Sequence, residues 1–126
     1  MNLLEQGSNW LEKKRHDYLS SPVNFVRGGE SIPVNATLGR TEFDVSVDMG
    51  ITEKYETRDF LVRREDLVIL GERVNPKRGD RFHYHIEGQV FIYEVMAPGK
   101  EPVYRESDLF KKTLRIHTKL IEVQDE

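Results

Sequence analysis

The chain holds 126 residues, 37% of them hydrophobic and 33% charged, with 19 Lys and Arg against 22 Asp and Glu for a net charge of −3. That length fits one domain with one core, and the lack of cysteine excludes disulfides, thiol catalysis and thiolate metal sites. A generic nucleic-acid binder carries a basic excess that this chain does not, and no apolar run reaches the ~18–20 residues that cross a bilayer.

The first stretch reads as a helix over 1–20. Leu3, Leu4, Gly7, Trp10, Leu11 and Tyr18 recur at three- and four-residue steps, with Glu5, Glu12, Lys13, Arg15 and Asp17 on the other face. Ser20-Ser21-Pro22 ends it, because proline disfavours a helical residue before it. The stripe with Leu3, Leu4 and Trp10 must dock on its own domain or on a partner, and tryptophan is a favoured interface anchor.

From Val23 the period changes to two. Val23 and Phe25 alternate with polar residues, Gly28-Gly29-Glu30 reads as a hairpin turn, and Ile32, Val34, Ala36 and Leu38 form a second strand with Pro33 marking an edge. After a break at Gly39-Arg40, Phe43, Val45 and Val47 alternate with Glu42, Asp44, Ser46 and Asp48, a strand with an acidic outer face. Residues 49–55 read as an exposed loop, in which Met49, Ile51 and Tyr55 are candidate contacts with a subunit or partner. Thr57–Val62 reads as a strand, Arg64-Glu65-Asp66 as a helical turn, Val68–Leu70 as a short apolar segment and Gly71–Gly79 as a turn-rich connector. Asp80–Ile86 and Val90–Met96 flank Glu87-Gly88-Gln89 in the clearest hairpin; a short strand at Val103–Ser107 and a long one at Leu114–Val123 follow, then a frayed tail. One helix and about seven antiparallel strands predict a mainly β, single-domain chain over 1–126. The expected architecture is a small antiparallel β-barrel or sandwich over 23–123 behind an N-terminal α-helix over 1–20.

Chemistry-bearing patterns are sparse. His83-Tyr84-His85 puts two imidazoles on one face of a strand, as in the His-x-His pair of cupin-type metal sites. Glu87 and Glu94 do not stand at cupin spacing, His117 is the one later histidine available as a third ligand, and such a pair is more often solvated or hydrogen-bonded. Glu42, Asp44, Asp48 and Asp59 could pair as carboxylates, but an acidic strand face is usually a solvated face. No Gly-x-Ser-x-Gly elbow and no phosphate-binding Gly-Lys-Ser/Thr run is present. Arg73, Lys77, Arg78 and Arg81, then Lys111, Lys112 and Arg115, are basic but lack interleaved aromatic residues for base stacking. A metal site at His83 and His85 and a small nucleic-acid-binding barrel are therefore the alternative readings.

A family resemblance is carried by Pro76-Lys77-Arg78-Gly79-Asp80, Gly88, Tyr93-Glu94-Val95, Pro102-Val103-Tyr104, Ser107-Asp108 and Arg115-Ile116-His117-Thr118-Lys119. Through these residues the chain resembles the head-completion and tail-attachment (head–tail joining) proteins of tailed bacteriophages and prophages, best from Thr57 to Ile121. The resemblance implies a non-enzymatic structural virion protein without a cofactor or metal. It would be made in the bacterial host cytoplasm, stay monomeric until it meets the preceding ring, and then assemble as a homo-oligomeric ring. Its expected partners are the portal and adaptor (connector) proteins and tail proteins, with transient contact with DNA and none with a membrane. Asp44 and Asp48 would then suit an acidic channel-facing strand that repels DNA phosphates.

Overall fold

The computed structural model describes residues 20–46, 50, 52–99, 101–107 and 112–125. The expected helix, with Leu3, Leu4 and Trp10, lies outside these residues, as do Asp48, Met49 and Ile51. Among the described residues there are nine strands: β1 (Ser21–Arg27), β2 (Glu30–Ser46), β3 (Thr52–Arg63), β4 (Val68–Ile69), β5 (Glu72–Arg73), β6 (Arg81–Ile86), β7 (Gln89–Val95), β8 (Tyr104–Glu106) and β9 (Thr113–Asp125). A 3-10 turn over Arg64–Asp66 stands where the sequence predicts a helical turn.

Seven strands form one antiparallel sheet in the order β3-β2-β1-β6-β7-β9-β8, and β3 also pairs with β9. That extra pairing makes a closed circuit of six strands, β1-β2-β3-β9-β7-β6, because β9 uses different residues for different neighbours. Thr113–Thr118 pair with β3 and Thr118–Asp125 with β7. The inward face holds aromatic rings from four strands. Phe60 of β3 stacks on Phe82 of β6 at 4.4 Å, Phe25 of β1 meets Phe82 edge-on at 5.2 Å, and Tyr93 of β7 meets Phe60 edge-on at 5.1 Å. All three phenylalanines are fully buried, each contributing about 1.5–3 kcal/mol through area removed from water. Leu67 and Ile69, from the turn and β4, pack into the same cluster with Val62 and Leu114.

Three sequence expectations change. The break at Gly39-Arg40 does not occur: β2 runs unbroken for 17 residues. Its first part pairs with β1 through Ala36 and its second part with β3 from Ala36 onward, so a change of partner replaces the turn. Pro33 sits where β2 pairs only with β1 among the described strands, so its missing N–H interrupts no ladder on the far edge. Residues 52–55, expected as loop, belong to β3 because they pair with Asp44–Ser46 and Phe43. The tail is not frayed through Asp125, since Gln124 and Asp125 pair with Val90 and Gln89.

Candidate functional site

The distal part of the β2–β3 hairpin is a two-stranded arm. Thr41–Ser46 pair with Thr52–Thr57, and no third strand joins this ribbon among the described residues. A two-stranded ribbon alone is marginal in water, so its base must be held. Register places Thr41 opposite Thr57, Gly39 opposite Asp59, and Asp59 in turn opposite His117 of β9. Facing residues in antiparallel strands share a side, and four side chains from three strands therefore converge on one carboxylate.

Asp59 is fully buried. Thr57 Oγ1 donates to its Oδ1 at 2.8 Å, Arg115 Nη1 to its Oδ2 at 2.8 Å, and the Thr41 hydroxyl also donates to Oδ2. His117 Nδ1 lies 2.9 Å from Oδ1; an ionised carboxylate only accepts, so that nitrogen carries the proton. Arg115 Nη1 also reaches Thr41 Oγ1 at 3.3 Å, across the bare Cα of Gly39, where an added Cβ would sit 3.4 Å away. Burial pushes the Asp59 carboxyl up, but the bonds from His117, Thr41, Arg115 and Thr57 together outweigh it and hold the group down at about 2. Beyond this brace Phe43 lays its ring edge-on to His117, centroids 5.3 Å apart, and the Tyr55 hydroxyl donates to the Met96 sulfur at 3.0 Å. One face of the arm thus leans on the body of the sheet.

The opposite face is charged and mixed in sign. Arg40 faces Arg58, Glu42 faces Glu56 and Asp44 faces Lys54, with Arg40 and Arg58 each 3.8 Å from Glu56. Asp44 is exposed, and a lysine stands directly across from it. The expectation that Asp59 belongs to a solvated carboxylate face is overturned: it points to the buried side, with Arg115 and His117 as partners.

The second anchored feature is the Pro76–Asp80 turn. Asp80 is 4% exposed and accepts from Arg27 Nε and Nη2 at 3.0 and 2.7 Å and from the Lys77 N–H at 2.8 Å. Gly79 takes φ +91°, a backbone that side chains disfavour, so both residues of the Gly-Asp pair have structural work.

His83, His85 and His117 are not brought together as a ligand set. His117 serves Asp59, and among the described residues no group of three or more His, Asp or Glu is arranged to hold a metal. His83 keeps its Nε2 buried with no hydrogen-bond partner; burial, then Arg81 and His85, lower its pKa. Of the basic residues, Arg115 is bound to Asp59 and Arg81 lies 3.6 Å from Glu94, while Lys111 lies outside the described residues.

Arg115 and His117, which hold the arm, come from the stretch that carries the family resemblance most specifically, and Asp80 comes from its other main motif. A family model described as "Phage head-tail joining protein" matches residues 1–125. The chain belongs to the phage head–tail joining family. The comparison with curated proteins returns no match. Membership assigns this joining protein a structural role at the connection between phage head and tail, which makes it a virion component. Among the described residues no helix is long and apolar enough to cross a membrane.

Proposed function

We propose that this joining protein works as a ring that seats on the portal and adaptor proteins, closes the DNA-filled head and presents its far side to the tail. The observation that carries the reading is the family match over residues 1–125. The fold supports it: the sheet circuit, which we read as the small barrel expected from the sequence, gives a rigid body, and the braced arm gives a directed contact. Function then resides in repeated protein contacts, and the work is not catalytic. The arm, with Tyr55 midway along it and Met49 and Ile51 further on in sequence, and the apolar stripe of Leu3, Leu4 and Trp10 are the proposed contact elements.

The test is complementation. A phage lacking this gene should yield filled heads that lose DNA and fail to join tails. Purified protein added to those heads should restore joining, and tails should not join when the arm residues 44–53 are replaced by a short turn. Heads that join tails equally well without the protein would end this reading.

A further inference from the structure

We propose that the open mouth of the sheet circuit receives the acidic, apolar tip of the β2–β3 arm of a second copy of this chain. The proposal rests on the ring reading and names the contact that builds the ring.

The mouth lies where β3 and β9 part company. Their ladder runs from Arg63–Thr113 to Arg58–Thr118; beyond that, β9 turns to β7 while β3 continues into the arm. A cavity of about 600 Å³ opens there, lined by Leu38, Arg40, Arg58, Phe60, Phe91 and Leu120 among others. Its apolar side chains meet water: Leu38 is 44% exposed and Leu120 46%, with Val123, across from Phe91, at 44%. Contiguous exposed apolar surface of this kind marks an interaction site. Over it stand two guanidiniums, Arg40 and Arg58, which share one carboxylate, Glu56, at 3.8 Å from each. The mouth therefore suits an extended segment that offers apolar side chains together with carboxylates.

The chain carries a segment of that composition. Residues 44–53 include Val45, Val47, Met49 and Ile51 alongside Asp44, Asp48 and Glu53, with no lysine or arginine. A copy cannot easily use its own tip, because the arm leaves from the mouth itself: Ser46 is six residues, roughly 20 Å of strand, beyond Arg40. Tip into neighbouring mouth is a head-to-tail contact, the kind that closes into rings. It gives Asp44 and Asp48 a neighbour's arginines to meet, in place of the channel lining that the sequence alone suggests.

The lack of native cysteine allows a direct test. A mouth variant, Leu120→Cys, and a tip variant, Asp48→Cys, are mixed under mild oxidation on filled heads that lack the protein, where the ring assembles. The mixed disulfide should form at least tenfold faster than either variant links to itself. Adding Arg40→Glu and Arg58→Glu to the mouth variant should slow trapping about tenfold, while the same pair in the tip variant should leave it unchanged; thermal melts confirm that each variant folds. Mouth variants linking to each other as fast as to the tip, an equal effect of charge reversal on either side, or no mixed product would each overturn the proposal. Successful head–tail complementation without trapping would remove this contact and leave the ring reading standing; trapping without complementation would do the reverse.

Discussion

Asp59 and His117 face each other across β3 and β9, 58 residues apart in sequence, with their side chains joined at 2.9 Å. The pair ties the strand that launches the arm to the strand that closes the sheet. Because Arg115, Thr41 and Thr57 converge on the same carboxylate, the base of the arm and the closing β3–β9 ladder meet at one ionised group.

Acid should therefore loosen this junction. The Asp59 carboxyl titrates at about 2 in the fold, below its ordinary 3.8, so the native state favours the ionised form. The stabilisation, about 2 kcal/mol by linkage, is complete above the unfolded value and is lost as pH falls through about 2. Urea midpoints measured from pH 5 to pH 2 should fall for the parent chain, and Asp59→Asn should show a smaller fall from a lower starting point.

At neutral pH, Asp59→Asn should cost about 3 kcal/mol, since it leaves the Arg115 guanidinium without its charge partner. Amide exchange should quicken in Thr41–Ser46 and Thr52–Thr57 more than in β6 and β7. Uniform quickening across the whole sheet would show that the cluster does not act on the arm in particular.

His83 predicts a slope of opposite origin. Its folded pKa is lowered, first by burial and then by Arg81 and His85, so the unfolded chain binds more protons there. Stability should rise with pH through the range just below neutrality, and His83→Gln should flatten that rise when melts are compared at pH 5 and pH 7.5. An unchanged slope would remove His83 as its source.

Two hairpin turns hold non-glycine residues in the left-handed region: Glu87 at φ +48°, before Gly88, and Leu70 at φ +52°, before Gly71. Such a backbone costs a side chain roughly 1–2 kcal/mol, less for asparagine. Glu87→Asn should raise stability by about 0.5–1 kcal/mol in chemical denaturation. Leu70→Asn should do the same, since Leu70 is 81% exposed and contributes no core packing.

The local features were readable because local chemistry decides them. Glu87-Gly88 between two alternating runs specifies a turn, and Arg64–Asp66 forms the helical turn that its composition suggests. What the sequence hides are the events decided by a distant partner. Gly39-Arg40 looks like a stop, yet β2 passes through it by exchanging β1 for β3. Asp59 alternates as an outward residue would, and only the β3–β9 register puts Arg115 and His117 against it. Arg115 and His117 stand in the most distinctive motif of the chain, so the residues were visible while their role was not. Thr41 and Thr57 carry no sequence signal at all, because a threonine on a strand is ordinary until its cross-strand neighbour is known.

Both edges of β9 are used, by β3 along its first half and by β7 along its second. During synthesis the earlier strands emerge as an open sheet, and the facing edges of β3 and β7 stay bare until the last 13-residue strand leaves the ribosome. Bare edges recruit other chains. The joining protein is thus most prone to mispairing just before it is finished, and a chain cut short before Thr113 would carry two unsealed edges into a crowded cell.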